Sequence, residues 1–427
     1  HAIYSDDPCF EITEFDQEID AEHVQHAIDL TNGVSVSVGL TSINESHSSE
    51  VLISIHHLIV DALSWPVIIE DLATLYEAEL SGKSVALTSK THHQGNWLDA
   101  LKSVNITELQ RTYWQKQTCA PLYPNKRGTP LASEWLLDNA ELKQLVEAGF
   151  EFARLTQEQV VFVVSAMTIS ALNAQCSFTI HRESHGRFTE ASGLDLSRTV
   201  GWYTSLYPQC IPEQIDLANW VKSIKDTFDA DGVGGITYHA GVAQQLWPHA
   251  AELDVLFNYL GNSSQQFNES VKVNHAGLWR DNESKADAAV VFNVSAEAKH
   301  LKFAMELDQA CSSELSVDAL HLALESSVNQ LLELFNHAIP TLTKSDTRLV
   351  EFTQSQLDDL CVNAAKQSSL PKTLLPLSTL QQGLHFHAKL SGSDSTYVNQ
   401  ITLPLTNVDV SKMKAAWQSV MNRHQML

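Results

Sequence analysis

At 427 residues the chain has room for about three domains of ~150 residues, or for two large lobes and a fragment. Its 44% hydrophobic and 18% charged residues are an ordinary globular composition, and no run of about 18 apolar residues marks a membrane span. The net charge of -24 argues against a nucleic-acid partner, because phosphate binding needs clustered Lys and Arg.

The six cysteines, Cys9, Cys119, Cys176, Cys210, Cys311 and Cys361, are scattered and form no CxxC pair, which speaks against a disulfide framework or a zinc site. The chain opens HAIYSDDPCF without methionine or the pattern of a signal peptide, and it stops at HQML inside a helical pattern. Both ends read as cuts within a larger polypeptide.

In chain order, residues 1–50 are acidic and polar, with a helix expected near Ala21 to Leu30 and a strand from Val34 to Thr41. VLISI, residues 51–55, alternates and is β-branched, so it reads as a strand that ends at His56 and His57. Adjacent strand residues point to opposite faces, so only one of the two histidines can look into a given cavity. Asp61 lies four residues on, and an isolated HxxxD is more often a packed histidine held by a carboxylate at a helix entry. From Pro66 the apolar positions Ile68, Ile69, Leu72, Leu75, Tyr76 and Leu80 keep helical spacing up to Gly82, and Ser64 is placed to cap that helix.

Residues 83–130 read as loop-rich, with a helix around Thr107 to Gln117 and with His92 and His93 in a solvated polar loop. Helices are expected over Asn139–Gly149 and Thr156–Gln175. In SFTIHRE, residues 177–183, Phe178, Ile180 and Arg182 alternate against Thr179, His181 and Glu183, a strand with an apolar-leaning and a polar face. RTVGWYTSLYP, Arg198 to Pro208, reads by itself as a strand with an aromatic edge. GVGGITYHAG, Gly232 to Gly241, lacks the GK[ST] ending of a phosphate loop, so a nucleotide site is rejected. LDVLFNYLG, Leu253 to Gly261, is an apolar strand that ends on the amide of Asn258 and the phenol of Tyr259. Two strands follow over residues 289–307, then a long amphipathic helix over Val317–Ile339, and a polar linker with one short helix leads to residue 375.

Several strings together resemble one family. HHLIVDALSW, His56 to Trp65, resembles the HHxxxD active-site motif of the condensation superfamily of nonribosomal peptide synthetases, and its Ser64-Trp65 ending looks like the epimerization branch. RESHGRF resembles that branch's EGHGRE motif, with Ser184 in place of the glycine and Phe188 in place of the final glutamate. RTVGWYTSLYP is similar to its RTVGWFTSxYP almost letter for letter, and FNYLG recurs at Phe257 to Gly261. LPLSTLQQGLHFHAKL, Leu375 to Leu390, resembles the start of a condensation domain, in which His385 and His387 are expected to be packing residues.

The resemblance implies an α/β (α+β), two-lobed chloramphenicol acetyltransferase-like fold with an active-site channel between the lobes. It divides the chain into an N-terminal lobe over 1–150, lacking the family's opening strand and helix, a C-terminal lobe over 151–345, a linker over 346–374 and a condensation fragment over 375–427. It also implies His57 and Glu183 as the catalytic acid/base pair, with the initiating base left open. His56, Asp61, Ser64, Trp65, His185, Arg198, Tyr203, Thr204, Asn258 and Tyr259 would support them, Asp61 through an arginine. The implied reaction is epimerization of an L-aminoacyl or peptidyl thioester. No metal and no directly bound cofactor is expected, since the substrate rides the phosphopantetheine arm of an upstream peptidyl carrier protein. The other implied partner is a downstream condensation domain, and the expected location is cytoplasmic. A condensation-type acyltransferase and a non-catalytic recruiting domain of the same fold stay open.

Overall fold

The computed structural model describes residues 10–424, except 17, 42–49, 124–126, 175, 189–192, 231–234, 248–252, 263–283, 312–314, 367–370, 372–373 and 392–396. Cys9, Gly232 to Gly234 and the last three residues therefore lie outside the described residues. The chain separates into two compact units, His1–Thr373 and Leu374–Leu427.

The first unit is a mixed α/β fold with two sheets. The smaller sheet has the order β1-β2-β3, formed by Phe10–Phe15, Val36–Thr41 and Val51–Ile55. β1 and β2 are parallel, which requires a crossover, and helix α1 (Ala21–His26) supplies it behind an Asp20 cap. β3 runs antiparallel to β2 and ends at Ile55, so it delivers the His56-His57 pair into a turn as its alternation predicts. Helix α2 (Ser64–Ser81) follows and closes on Gly82 in a left-handed conformation.

One helix lies hidden in the stretch expected to be loop-rich. Helix α3 (Gln94–Ser103) has low average hydrophobicity, but the capping box of His93 with Asn96 starts it and Trp97 and Leu101 bury it. Helix α4 (Glu108–Gln115), where the spacing predicts one, begins at a second capping box, Thr107 with Gln110. His93 is thus a helix cap, and the His92 Nδ1 meets the backbone of Asp195, 3.1 Å from its carbonyl oxygen.

The larger sheet has the order β4-β9-β8-β7-β5-β6: Pro130–Asp138, His300–Asp308, Ala288–Ala296, Leu253–Asn262, Phe178–Ser184 and Ser205–Ile211. The pairs β5·β7 and β7·β8 are parallel and the other pairs antiparallel. One face packs on α5 (Asn139–Ala153), α6 (Gln157–Leu172) and α9 (Val317–His337). Every residue of α6 from Gln159 to Ser170 is buried, so it is a central core helix without a polar face. Among the described residues no single helix is long and apolar enough to cross a membrane. Helices α7 (Leu217–Ala230) and α8 (Ile236–Ala243) complete the unit, and α8 is built from the latter part of the glycine-rich string.

Two parts of the expected domain plan differ in the structure. β4 and most of α5, numbered within 1–150, belong to the larger sheet and its core, so the lobes part nearer residue 130. The stretch 346–374 carries helix α10 (Gln354–Ala365), which packs on the first unit. Leu357 and Cys361 are fully buried, Asp358 accepts from Lys222 Nζ at 2.9 Å, and Arg154 donates to the Pro371 carbonyl at 2.7 Å. A polar composition hid this docking because one apolar side chain per turn is enough to seat a short helix.

The second unit holds helices α11 (Thr379–Ser391) and α12 (Val410–Arg423). His385 and His387 are exposed rather than packed, because no third element among the unit's described residues covers α11.

Candidate functional site

The loop after β3 and the loop after β5 meet at one buried ion pair. Asp61 is 3% exposed, and the Arg187 guanidinium grips it with both oxygens, Nη2 to Oδ1 at 2.7 Å and Nε to Oδ2 at 3.1 Å. The remaining donors of Arg187 are also used. Its Nη1 donates to the carbonyls of Leu196 and Thr199 at 2.9 and 2.6 Å, and its face lies 4.6 Å from the Tyr203 ring centroid. A fully donated, bidentate pair is the arrangement in which a buried charge is tolerated.

Ser64 completes this knot rather than capping α2. Its hydroxyl donates to Asp61 Oδ1 at 2.7 Å and accepts from the Gly201 N–H at 3.1 Å, while Asp61 Oδ1 accepts the Ser64 N–H at 2.9 Å. The carboxylate therefore takes the first N–H of the helix, that of Ser64 itself. The Tyr203 N–H donates to Asp61 Oδ2 at 3.3 Å, so the RTVGWYTS segment is tied to the histidine turn through Asp61.

The turn from β5 into Arg187 depends on Gly186. Its φ is +66°, and a Cβ built there would sit 1.7 Å from the Tyr203 carbonyl oxygen. Only glycine permits that approach. Arg198 pins the same segment from outside, donating to Glu70 at 2.7 Å and to Asp71, both on α2.

His57 projects from the turn that this knot holds. Its Nδ1 lies 2.6 Å from the Val60 carbonyl oxygen, which can only accept, so Nδ1 is the protonated nitrogen and Nε2 carries the lone pair of the neutral ring. The ring stacks on Trp202 with centroids 5.5 Å apart and planes 30° apart. Exposed His56 has a local role, accepting the Leu58 N–H at 3.1 Å.

Glu183 comes from β5, between β6 and β7. Phe178 and Ile180 face the helix-side core, and Arg182 lies there over the Phe228 ring at 3.2 Å. Thr179, His181 and Glu183 take the other face. That polar face is covered rather than solvated, with Thr179 and His181 each 4% exposed. Burial raises the pKa of Glu183, the charge of His57 lowers it, and Asp287 raises it further. The charge of His57, on the turn after β3 of the smaller sheet, is thus felt by Glu183, near the end of β5 in the larger one.

Burial also pushes His181 down to about 4. Because the unfolded histidine titrates near 6.5, the unfolded chain binds more protons between these values, and stability should fall as pH falls through that window. The group contributes about 3 kcal/mol at pH 7 that is lost towards pH 4. Denaturant midpoints measured at pH 7 and pH 4.5 should differ less in His181→Leu than in the parent.

The other expected residues separate into near and far. Tyr203 is buried in the knot. Trp65 and Thr204 are half-buried beside it in sequence, and His185 accepts the Arg187 N–H at 3.0 Å while its ring lies 4.6 Å from Phe188. Partial desolvation and the Arg187 cation lower the His185 pKa, against Asp61. Asn258 lies on the Glu183 face of β7 by register. Tyr259 does not join it. It packs against the helix-side core and its hydroxyl accepts from Gln157 of α6 at 2.9 Å, because successive strand residues face opposite ways. Arg187 and Trp202 sit inside RESHGRF and RTVGWYTSLYP without a spacing signal of their own; for Arg187 the one local sign is its place directly after the obligatory Gly186.

Residues 11–343 match the condensation domain family. A linear gramicidin synthase polypeptide from Brevibacillus parabrevis is 26% identical over 440 residues, covering 95% of this chain and 6% of that protein. The chain thus spans a small part of the relatives it matches. Among solved structures, the epimerization domain from the third module of tyrocidine synthetase B superposes with a TM-score of 0.61 at 20% identity, covering 76% of this chain and 80% of that one. The first condensation domain of the calcium-dependent antibiotic synthetase superposes with a TM-score of 0.51 at 14% identity over 77% and 76%.

Proposed function

The chain belongs to the condensation domain family, and from that premise we propose that its first unit is the epimerization domain of a nonribosomal peptide synthetase. Its substrate is an L-aminoacyl or peptidyl thioester on the phosphopantetheine arm of a carrier protein, and the synthetase works in the cytoplasm. The observation that carries this reading is the Asp61–Arg187 pair that ties the His57 turn to the loop after β5, with Glu183 just before that loop, its pKa raised by burial and lowered by the His57 charge. Acyl transfer uses the histidine but leaves the glutamate idle.

Epimerization needs a proton removed from one face of the α-carbon and returned to the other. The thioester carbonyl takes the charge as an enolate in between. With Nδ1 held by Val60, His57 presents Nε2 as its basic nitrogen, and Glu183 supplies a carboxyl group that burial makes a stronger base than an exposed glutamate. Either can begin, and the other completes the inversion. Asn258, on the Glu183 face, offers an amide to the polar tether; Tyr259, held by Gln157, is not placed in this role.

The two configurations differ at one carbon, so the enzyme draws either starting thioester to the same mixture. Carriers loaded with the L- or the D-aminoacyl group, hydrolysed after long incubation and resolved on a chiral column, should converge on one ratio. Loss of the thioester to a free amine acceptor, with configuration retained, would favour acyl transfer. The second unit suggests how one isomer is drained: a downstream condensation domain that accepts the D-configured donor.

Asp287 gives a finer test. The ionised Glu183 disappears as pH falls through its raised pKa, so the acid limb of the rate profile should lie above the ordinary glutamate range. Asp287→Asn removes a charge that raises this pKa, and the limb should move to lower pH. An unmoved limb would separate Glu183 from the acid side of the profile.

A further inference from the structure

Helix α4 ends at Gln115, and the segment after it runs along β6, the edge strand of the larger sheet. An edge strand leaves backbone groups to be covered. Here the Cys210 N–H is covered by Gln117, whose Oε1 accepts it at 3.1 Å, and the Cys119 N–H reaches past the edge strand to donate to Thr179 Oγ1 on β5 at 2.8 Å. Thr179 and Cys210 are themselves partners in the β5·β6 ladder. These bonds bring together two cysteines 91 positions apart, with their sulfurs at 2.7 Å. Both are partly exposed, so small reagents can reach them.

We propose that Cys119 and Cys210 form a reversible dithiol–disulfide site whose oxidant is a small-molecule disulfide of the glutathione class. The two thiols have unequal roles. The hydrogen bond from Cys210 holds the Cys119 thiol down at about 7, whereas the Cys210 thiol is pushed up by the same contact and by burial. Cys119 is therefore the thiolate that attacks. It bonds to one sulfur of the external disulfide and expels the other half as a thiolate. Cys210 then gives up its proton to that thiolate and attacks the Cys119 sulfur, expelling the second half, which also leaves as a thiol once protonated. Two protein thiols are oxidised to one disulfide and one external disulfide is reduced to two thiols. The bond would fasten the α4–β4 connection to the sheet edge, on the strand face that carries Glu183 at its far end.

The full 427-residue chain, equilibrated with oxidised glutathione at pH 7.5, alkylated and digested, should yield a peptide pair joined through Cys119 and Cys210. Exposed Cys176 should carry only glutathione. Cys210→Ser should stop at a glutathione adduct on Cys119, and Cys119→Ser should leave Cys210 alkylatable. The oxidised parent should melt about 5 °C higher than the reduced one, since the bond closes a long loop. If Cys119 and Cys210 of the parent stay alkylatable, or carry separate glutathiones without a cross-link, the proposal is overturned. The readout is independent of epimerization, so it stands or falls apart from that reading.

Discussion

His57→Ala and Glu183→Gln should each slow α-proton exchange by about 10²- to 10⁴-fold, the range lost when a positioned general acid or base is removed. Their melting temperatures should stay close to the parent, because His57 is exposed and Glu183 only half-buried. The two variants should also differ from each other in kind. Glu183→Gln keeps the shape of the side chain and removes its ability to take a proton. His57→Ala also removes the ring that Trp202 stacks on and the charge that lowers the Glu183 pKa. In a single-turnover exchange assay, a parental rate in either variant would remove that residue from the reaction.

Asp61→Ala should behave differently, losing stability together with rate. It strands the Arg187 guanidinium, whose side chain is 6% exposed, with no counter-charge. Breaking a buried pair from one side typically costs about 3–5 kcal/mol. Arg187→Ala should cost a similar amount by stranding Asp61. The double variant Asp61→Ala/Arg187→Ala should be less destabilised than the sum of the two singles, because no uncompensated charge is left buried. Denaturant unfolding of the three proteins measures this directly. An Asp61→Ala melting curve that overlays the parent would refute its role in holding the loop.

How much of this was readable in the sequence depends on the kind of signal. The long periodic elements α5, α6 and α9 and the strands β5, β8 and β9 follow from spacing alone, since their apolar faces are what the fold buries; α2 and β3 follow from spacing too, although Leu72, Leu75, Tyr76 and Leu80 of α2 stay exposed. α3, β1 and β4 were not, because their residues are mostly exposed or polar and their formation depends on caps and on pairing with distant strands. The site shows the same division. His57 and Glu183 stand in recognisable strings, and so does the turn that needs Gly186. The partner of Asp61 did not emerge from spacing, as Arg187 lies 126 positions away. The segregation of Asn258 from Tyr259 follows from strand alternation and was open to a sequence reading, whereas the Cys119–Cys210 approach depends on an edge-covering segment that no local pattern announces.

The central claim is that the chain moves a proton at the α-carbon. Incubating it in deuterated buffer with an L-aminoacyl thioester on its carrier, then releasing the amino acid, tests this most directly. Deuterium is expected at the α-position in both the L and the D product, with uptake lost in His57→Ala and Glu183→Gln. Peptide bond formation with an added aminoacyl carrier, and no deuterium at that carbon, would contradict it.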